Sequence, residues 1–93
     1  MRIVGFVWLE DVVEKLEAKH NVSPTEVAEV FAGRPTVRRM KRGRYRGEDV
    51  YRALGQTEAG RYLVAFFIYT LTHKALILSA RDMDEKERRS YAG

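Results

Sequence analysis

Two stretches are apolar at nearly every position: RYLVAFFIYT over residues 61–70 and ALILSA over residues 75–80. Strand side chains alternate between the two faces of a sheet, so a run apolar on both faces belongs in the middle of one. The pair therefore predicts two central strands joined by a tight turn at Thr72-His73-Lys74. Everything else in the chain has to cover or extend them.

The rest of the pattern supplies the cover. RIVGFVW, residues 2–8, is β-branched and aromatic and predicts a first strand. Leu9, Val12, Val13 and Leu16 then recur at helical spacing with acids on the opposite face. After a turn at Asn21, Ser23-Pro24-Thr25-Glu26 is a capping box with proline at the first helical position. Val22 and Val27 fit the hydrophobic staple, Val27, Val30 and Phe31 give this second helix its buried stripe, and Gly33 ends it. Residues 37–42 predict a strand with a basic polar face, GRYRG a turn, and Asp49–Leu54 a strand that alternates. Asp82 or Asp84 caps a short last helix, with Asp84 and Glu87 in capping-box spacing. The expected order is β-α-α-β-β-β-β-α: an α+β domain with a mostly antiparallel sheet and its helices on one face.

Composition narrows the class. Ninety-three residues suit a single domain, residues 1–93, with a modest core. There are no cysteines, so neither a disulfide framework nor a thiolate metal site is available. The two histidines, His20 and His73, are too isolated for a metal cluster, and no metal or cofactor is expected. No signal-peptide pattern opens the chain, and the apolar run from Tyr62 to Tyr69 is too short for a bilayer. The expected setting is the cytoplasm, without membrane association.

Charge is unevenly spread around a net +4. Glu10, Asp11, Glu14, Glu17, Glu26 and Glu29 make residues 9–29 acidic. Residues 33–47, GRPTVRRMKRGRYRG, hold Arg34, Arg38, Arg39, Lys41, Arg42, Arg44 and Arg46 with no acid among them. One reading is a charged hairpin that keeps a sheet edge from aggregating. The other is a ribbon that contacts phosphates, with Tyr45 and Tyr51 placed to stack on unpaired bases.

Single residues carry the same two readings. Arg52 lies mid-strand, Arg61 opens a strand and Arg81 follows ILSA at the end of another, so the three can converge on one phosphate. Arg81 can instead pair with Asp82, Asp84 or Glu48. His20 falls at a helix C-terminus, where it favours the dipole, or handles a proton. His73 lies in a turn, in solvent. Glu48 balances the neighbouring arginines or acts as a base. Trp8 and Tyr91 are large aromatics near the ends of the fold, read first as packing residues. No Ser-His-Asp order, glycine-rich phosphate loop or metal box is present. Chemistry built mainly from positive charge suits RNA cleavage by its own 2′-hydroxyl, which needs positioning and stabilisation of a charged phosphorane.

Taken in order, Trp8, His20-Asn21-Val22-Ser23, Ala28, Val30-Phe31, Glu48-Asp49, Arg52, Gly55, Gly60-Arg61, Leu63, Ser79-Ala80-Arg81, Glu87-Arg88 and Tyr91 resemble the BrnT family of ribonuclease toxins. The resemblance implies a RelE-like fold and a metal-independent endoribonuclease of a type II toxin–antitoxin system that arrests translation. It also implies a ribbon-helix-helix antitoxin, with oligomers formed only in complex with it. Carried over, Arg52, Arg61 and Arg81 would be the RNA-phosphate and transition-state residues, with His20 and Glu48 as proton handlers. Leu9, Val12 and Leu16 stand where the family commonly has Asp, Lys and Asn. If those groups bind RNA in relatives, this chain either lacks activity or uses the Arg38–Arg46 ribbon instead. The rival reading is a non-catalytic module of the same fold that binds nucleic acid or an acidic protein.

Overall fold

In the computed structural model, which describes residues 1–92, the two apolar runs sit where their pattern requires. The chain order is β1 (Gly5–Val7), α1 (Glu10–His20), α2 (Pro24–Ala32), β2 (Thr36–Lys41), β3 (Val50–Gln56), β4 (Tyr62–Tyr69), β5 (Lys74–Asp82) and α3 (Glu85–Ala92). The strands form one five-stranded sheet in the order β1-β5-β4-β3-β2, so β4 is its middle strand. All neighbours are antiparallel except β1, which runs parallel to β5. The α+β class, the element order and the mostly antiparallel sheet are those the sequence predicts.

The strand expected over residues 2–8 shrinks to three residues. It is an edge strand that pairs only with β5, from Gly5 opposite Lys74 to Val7 opposite Leu76. Beyond that register its tether is a hydrogen bond from Val4 N–H to the His73 carbonyl, 2.8 Å.

Burial divides cleanly by strand parity. On one face Ala53, Leu63, Ala65, Phe67, Ala75, Ile77 and Ala80 pack against Leu16 of α1, Val22, and Val27 and Val30 of α2. The other face buries Leu54 and Val64 under Met83, with Tyr62, Phe66 and Tyr91 packed around them. The expectation of helices on one face therefore holds for α1 and α2 but not for α3. The reason is local: β4 is apolar on both faces, and Met83, the first residue after β5, folds over Leu54 and Val64 and takes α3 with it.

Helix ends follow their sequence signals. Ser23 Oγ accepts from Glu26 N–H (3.2 Å) while the Glu26 carboxylate accepts from Ser23 N–H (3.1 Å). Helix α1 lacks a side-chain cap, starts with Glu10 and Asp11 and ends in Lys19 and His20, which suits the helix dipole. Asn21 then turns the chain in the left-handed region, φ 52°. Asp84, not Asp82, caps α3: its Oδ1 accepts from Glu87 N–H at 2.7 Å, and Glu87 Oε1 accepts from Asp84 N–H at 2.9 Å. Asp82 remains in β5. Gly55 lets α2 approach β3; a Cβ there would lie 2.9 Å from Val30 Cγ1.

Ser23→Ala is expected to destabilise the fold by about 1 kcal/mol through loss of the cap. Thermal denaturation should show a melting point lower by ~4–8 °C.

Candidate nucleic-acid interface

The basic stretch is an edge ribbon followed by a structured loop. β2 pairs only with β3, and a bulge between Arg39 and Lys41 resets its parity. Arg38 lies opposite Arg52, and Lys41 opposite Val50, so both bases share the face that bears Arg52. Arg39 lies opposite Tyr51, on the other face.

The loop holds its shape with its own acids. Asp49 Oδ1 accepts from Gly43 N–H at 2.7 Å, and Glu48 Oε1 accepts from Tyr45 N–H at 3.3 Å. Gly47 takes φ 77°, and a Cβ there would lie 2.8 Å from Leu71 Cγ, so the loop leans on the β4–β5 turn. Because these carboxylates are spent mostly on backbone N–H groups, the ribbon's charge is left open. Arg39 pairs with Asp49 at 3.5 Å, whereas Arg34, Arg38, Lys41, Arg42, Arg44 and Arg46 form no ion pair among the described residues. The loop forms a ridge at the end of the sheet, with one hollow on each face. One, of about 630 Å³, is lined by Lys41, Arg42, Arg44, Glu48, Val50 and Ile68. The other, of about 330 Å³, is lined by Arg46, Asp49, Tyr51, Tyr69, Leu71 and His73 among others. Tyr45 is 66% exposed, with the Arg44 guanidinium 6.0 Å from its ring. Tyr51 instead stacks on Phe67 (centroids 5.7 Å apart, 24° between planes), which engages that ring with the core.

The three arginines expected to converge do not. Arg61 faces the helical layer. Its Nε and Nη2 donate to the Asp82 carboxylate at 2.8 and 3.2 Å. Its Nη1 donates to the Asn21 carbonyl (2.6 Å) and to Glu26, and its Nη2 to the His20 carbonyl (2.9 Å). One guanidinium thus ties β4, β5 and the α1–α2 junction together. The Asp82 hydrogen bond raises the Arg61 pKa, against some desolvation, with Glu26 adding to the rise. The same bond holds the Asp82 carboxyl below its ordinary range. His20 and Glu48 lie apart as well, one at the α1 C-terminus and the other in the ribbon loop.

Arg52 and Arg81 do meet, on the α3 side of the sheet, through Glu87. Arg81 grips Glu87 with two bonds, 2.7 and 2.9 Å, and Arg52 Nη1 lies 3.9 Å from the same carboxylate. Arg81 also lies over Phe66, 5.4 Å from the ring centroid. Glu87 is buried, and the Arg81 hydrogen bonds hold its carboxyl below the ordinary range despite that burial. The Arg81 pKa is raised by the same contact. Arg52 Nε is buried with no hydrogen-bond partner. Sequence reasoning saw Glu87 as half of a capping box and as part of the family resemblance; its role as counter-ion to two arginines depends on α3 crossing to this face.

Residues 8–87 match the family described as the ribonuclease toxin, BrnT, of type II toxin–antitoxin systems. The chain belongs to this family. The match spans α1, the ribbon, Arg52, Arg61, Arg81 and Glu87, and membership of a type II toxin–antitoxin family implies an antitoxin as partner. A comparison with curated proteins gives no match. No helix of this BrnT-family chain is long and apolar enough to cross a membrane.

Both Asp82 and Glu87 have carboxyl pKa values depressed by folding, so their contribution to stability is complete above the unfolded carboxylate values. It is lost as pH falls through the lower, folded values. Glu87→Gln should cost about 2 kcal/mol at neutral pH, since it removes charged hydrogen bonds and leaves Arg52 and Arg81 facing each other. The acid side of its melting-temperature profile should be shallower than that of the wild type.

Proposed function

We infer that this BrnT-family chain cleaves RNA, that the cleavage arrests translation, and that a ribbon-helix-helix antitoxin silences it by covering the basic ribbon. The observation that carries the reading is the contrast in charge pairing. Arg61 and Arg81 are consumed by carboxylates of the fold, while Arg38, Lys41, Arg42, Arg44 and Arg46 are uncompensated along one edge and one loop. A chain that needed these residues only for its own stability would pair them; left open, they suit a polyanion.

On this reading a single RNA strand follows the ribbon, with phosphates on Arg38, Lys41, Arg42 and Arg44. Arg52, neighbour of Arg38 across the strand pair, holds a flanking phosphate with the exposed part of its guanidinium. Exposed Tyr45 stacks on an unpaired base. Arg81 acts at one remove, since its bond to Glu87 sets where α3 and Arg52 sit. Arg61 belongs to the scaffold. The cut itself is attack of a 2′-hydroxyl on the adjacent phosphorus, and the guanidinium groups stabilise the charge that gathers on the phosphorane. A non-catalytic RNA-binding module is the alternative, favoured by one observation: the Arg52–Arg81 pair already carries an internal carboxylate.

Incubating the purified chain with single-stranded RNA separates the two. Cleavage that falls about 10²-fold in Arg52→Ala, with the melting curve retained, supports the enzyme; RNA bound but left whole supports the module. Reversing Arg38, Arg39 and Lys41 to Glu should weaken RNA binding and flatten its salt dependence by about 0.7 logarithmic unit per lost phosphate contact. An unchanged slope would place the RNA elsewhere.

A further inference from the structure

The ribbon loop borders a second group of residues whose geometry suits proton transfer. Tyr69 ends β4 and His73 closes the turn into β5. The Tyr69 hydroxyl lies 2.6 Å from the Arg2 carbonyl oxygen and 2.6 Å from His73 Nδ1. A hydroxyl has one proton, and a carbonyl oxygen can only accept. The Tyr69 proton is therefore directed to Arg2, and toward His73 the hydroxyl presents a lone pair. It follows that His73 Nδ1 carries the hydrogen and donates it to Tyr69. In the neutral ring Nε2 is then the free lone pair, on an exposed side chain.

The backbone beneath this ring is unusual. His73 adopts φ 64°, a conformation that glycine takes without strain and other residues avoid. The turn is held from both sides: His73 N–H donates to the Thr70 carbonyl (3.0 Å), its own carbonyl accepts from Val4 N–H (2.8 Å), and Lys74 N–H donates to Thr70 Oγ1 (3.0 Å). A histidine kept where glycine would fit better is a reason to look for a use of its imidazole. The hollow that it lines also contains Arg46, the last arginine of the basic stretch.

We propose that His73, oriented by Tyr69, is the general base of the RNA-cleaving reaction, with Arg46 beside the phosphate under attack. This rests on the ribonuclease reading above. An RNA strand crossing the loop ridge passes from the Arg38–Arg52 side into this hollow. Nε2 takes the proton of a 2′-hydroxyl as its oxygen bonds to phosphorus. The bond from phosphorus to the 5′ oxygen breaks, and that oxygen takes a proton from water. The products are a 2′,3′-cyclic phosphate and a free 5′-hydroxyl, and the imidazolium returns its proton to solvent.

The test uses the full chain free of antitoxin and a short single-stranded oligoribonucleotide, comparing wild type, His73→Gly, Tyr69→Phe and Arg52→Ala. His73→Gly should lower kcat by about 10²-fold or more with little change in KM. It should melt no lower than wild type, because glycine relieves the left-handed backbone. Added imidazole should restore part of its rate. Tyr69→Phe should give an intermediate rate. A His73→Gly protein that cuts as fast as wild type overturns the assignment, as does a loss of rate that imidazole does not rescue. If Arg52→Ala is impaired while His73→Gly is not, the ribonuclease reading stands and this base falls. If the wild type binds the oligonucleotide without cutting it, both fall.

Discussion

The architecture depends on one constraint: β4 is apolar on both sides and has to be shielded from water on both. Leu63, Ala65 and Phe67 point to one face, Val64 and Phe66 to the other. All five strands lie in one sheet, so three helices share the task. α1 and α2 cover the first face; Met83 and α3 cover part of the second. That partial cover shapes the exposed surface. Beyond α3, the second face is left with Arg52, Val50, Ile68 and the ribbon bases at its margin.

Arginine serves three different purposes within this frame, decided by what the sheet places beside it. At the start of β4, next to Asp82 and the carbonyls that end α1, Arg61 becomes a clamp between layers. On the α3 side, Arg81 and Arg52 share one buried carboxylate. Along β2 and its loop Arg39 alone is paired among the described residues, with Asp49, while Glu48 and the other Asp49 oxygen are drawn into loop hydrogen bonds. Pairing inside a fold lowers the free charge available to a ligand, whereas an unpaired edge keeps it. The separation between paired and open arginines is therefore electrostatic as much as geometric.

The placement of the loop ridge gives the molecule two unlike hollows at the same end of the sheet. One is basic and rimmed by Val50 and Ile68; the other combines Arg46 with the hydrogen-bonded Tyr69–His73 pair. Gly47 makes that proximity possible, since its positive φ and missing Cβ let the loop settle against Leu71. The basic loop and the exposed His73 are thus joined by a short stretch of backbone.

Much of the fold was legible because it is encoded locally. Alternation, helical spacing and the Ser23–Glu26 box depend on residues a few positions apart, so β4, β5, α2 and the element order could be read directly. The short β1 and the crossing of α3 could not, because they depend on which strand has a free edge and which face remains uncovered. The site divides in the same way. The basic ribbon was visible as composition, but the neutralisation of Arg61 by residues near positions 20, 26 and 82 was not. Nor was the His73 tautomer, set by a carbonyl at residue 2. By itself the sequence determined which segments are strand or helix and where charge is dense. Tertiary structure decided which of those charges remain unpaired, because pairing is a matter of distances across the sheet and not along the chain.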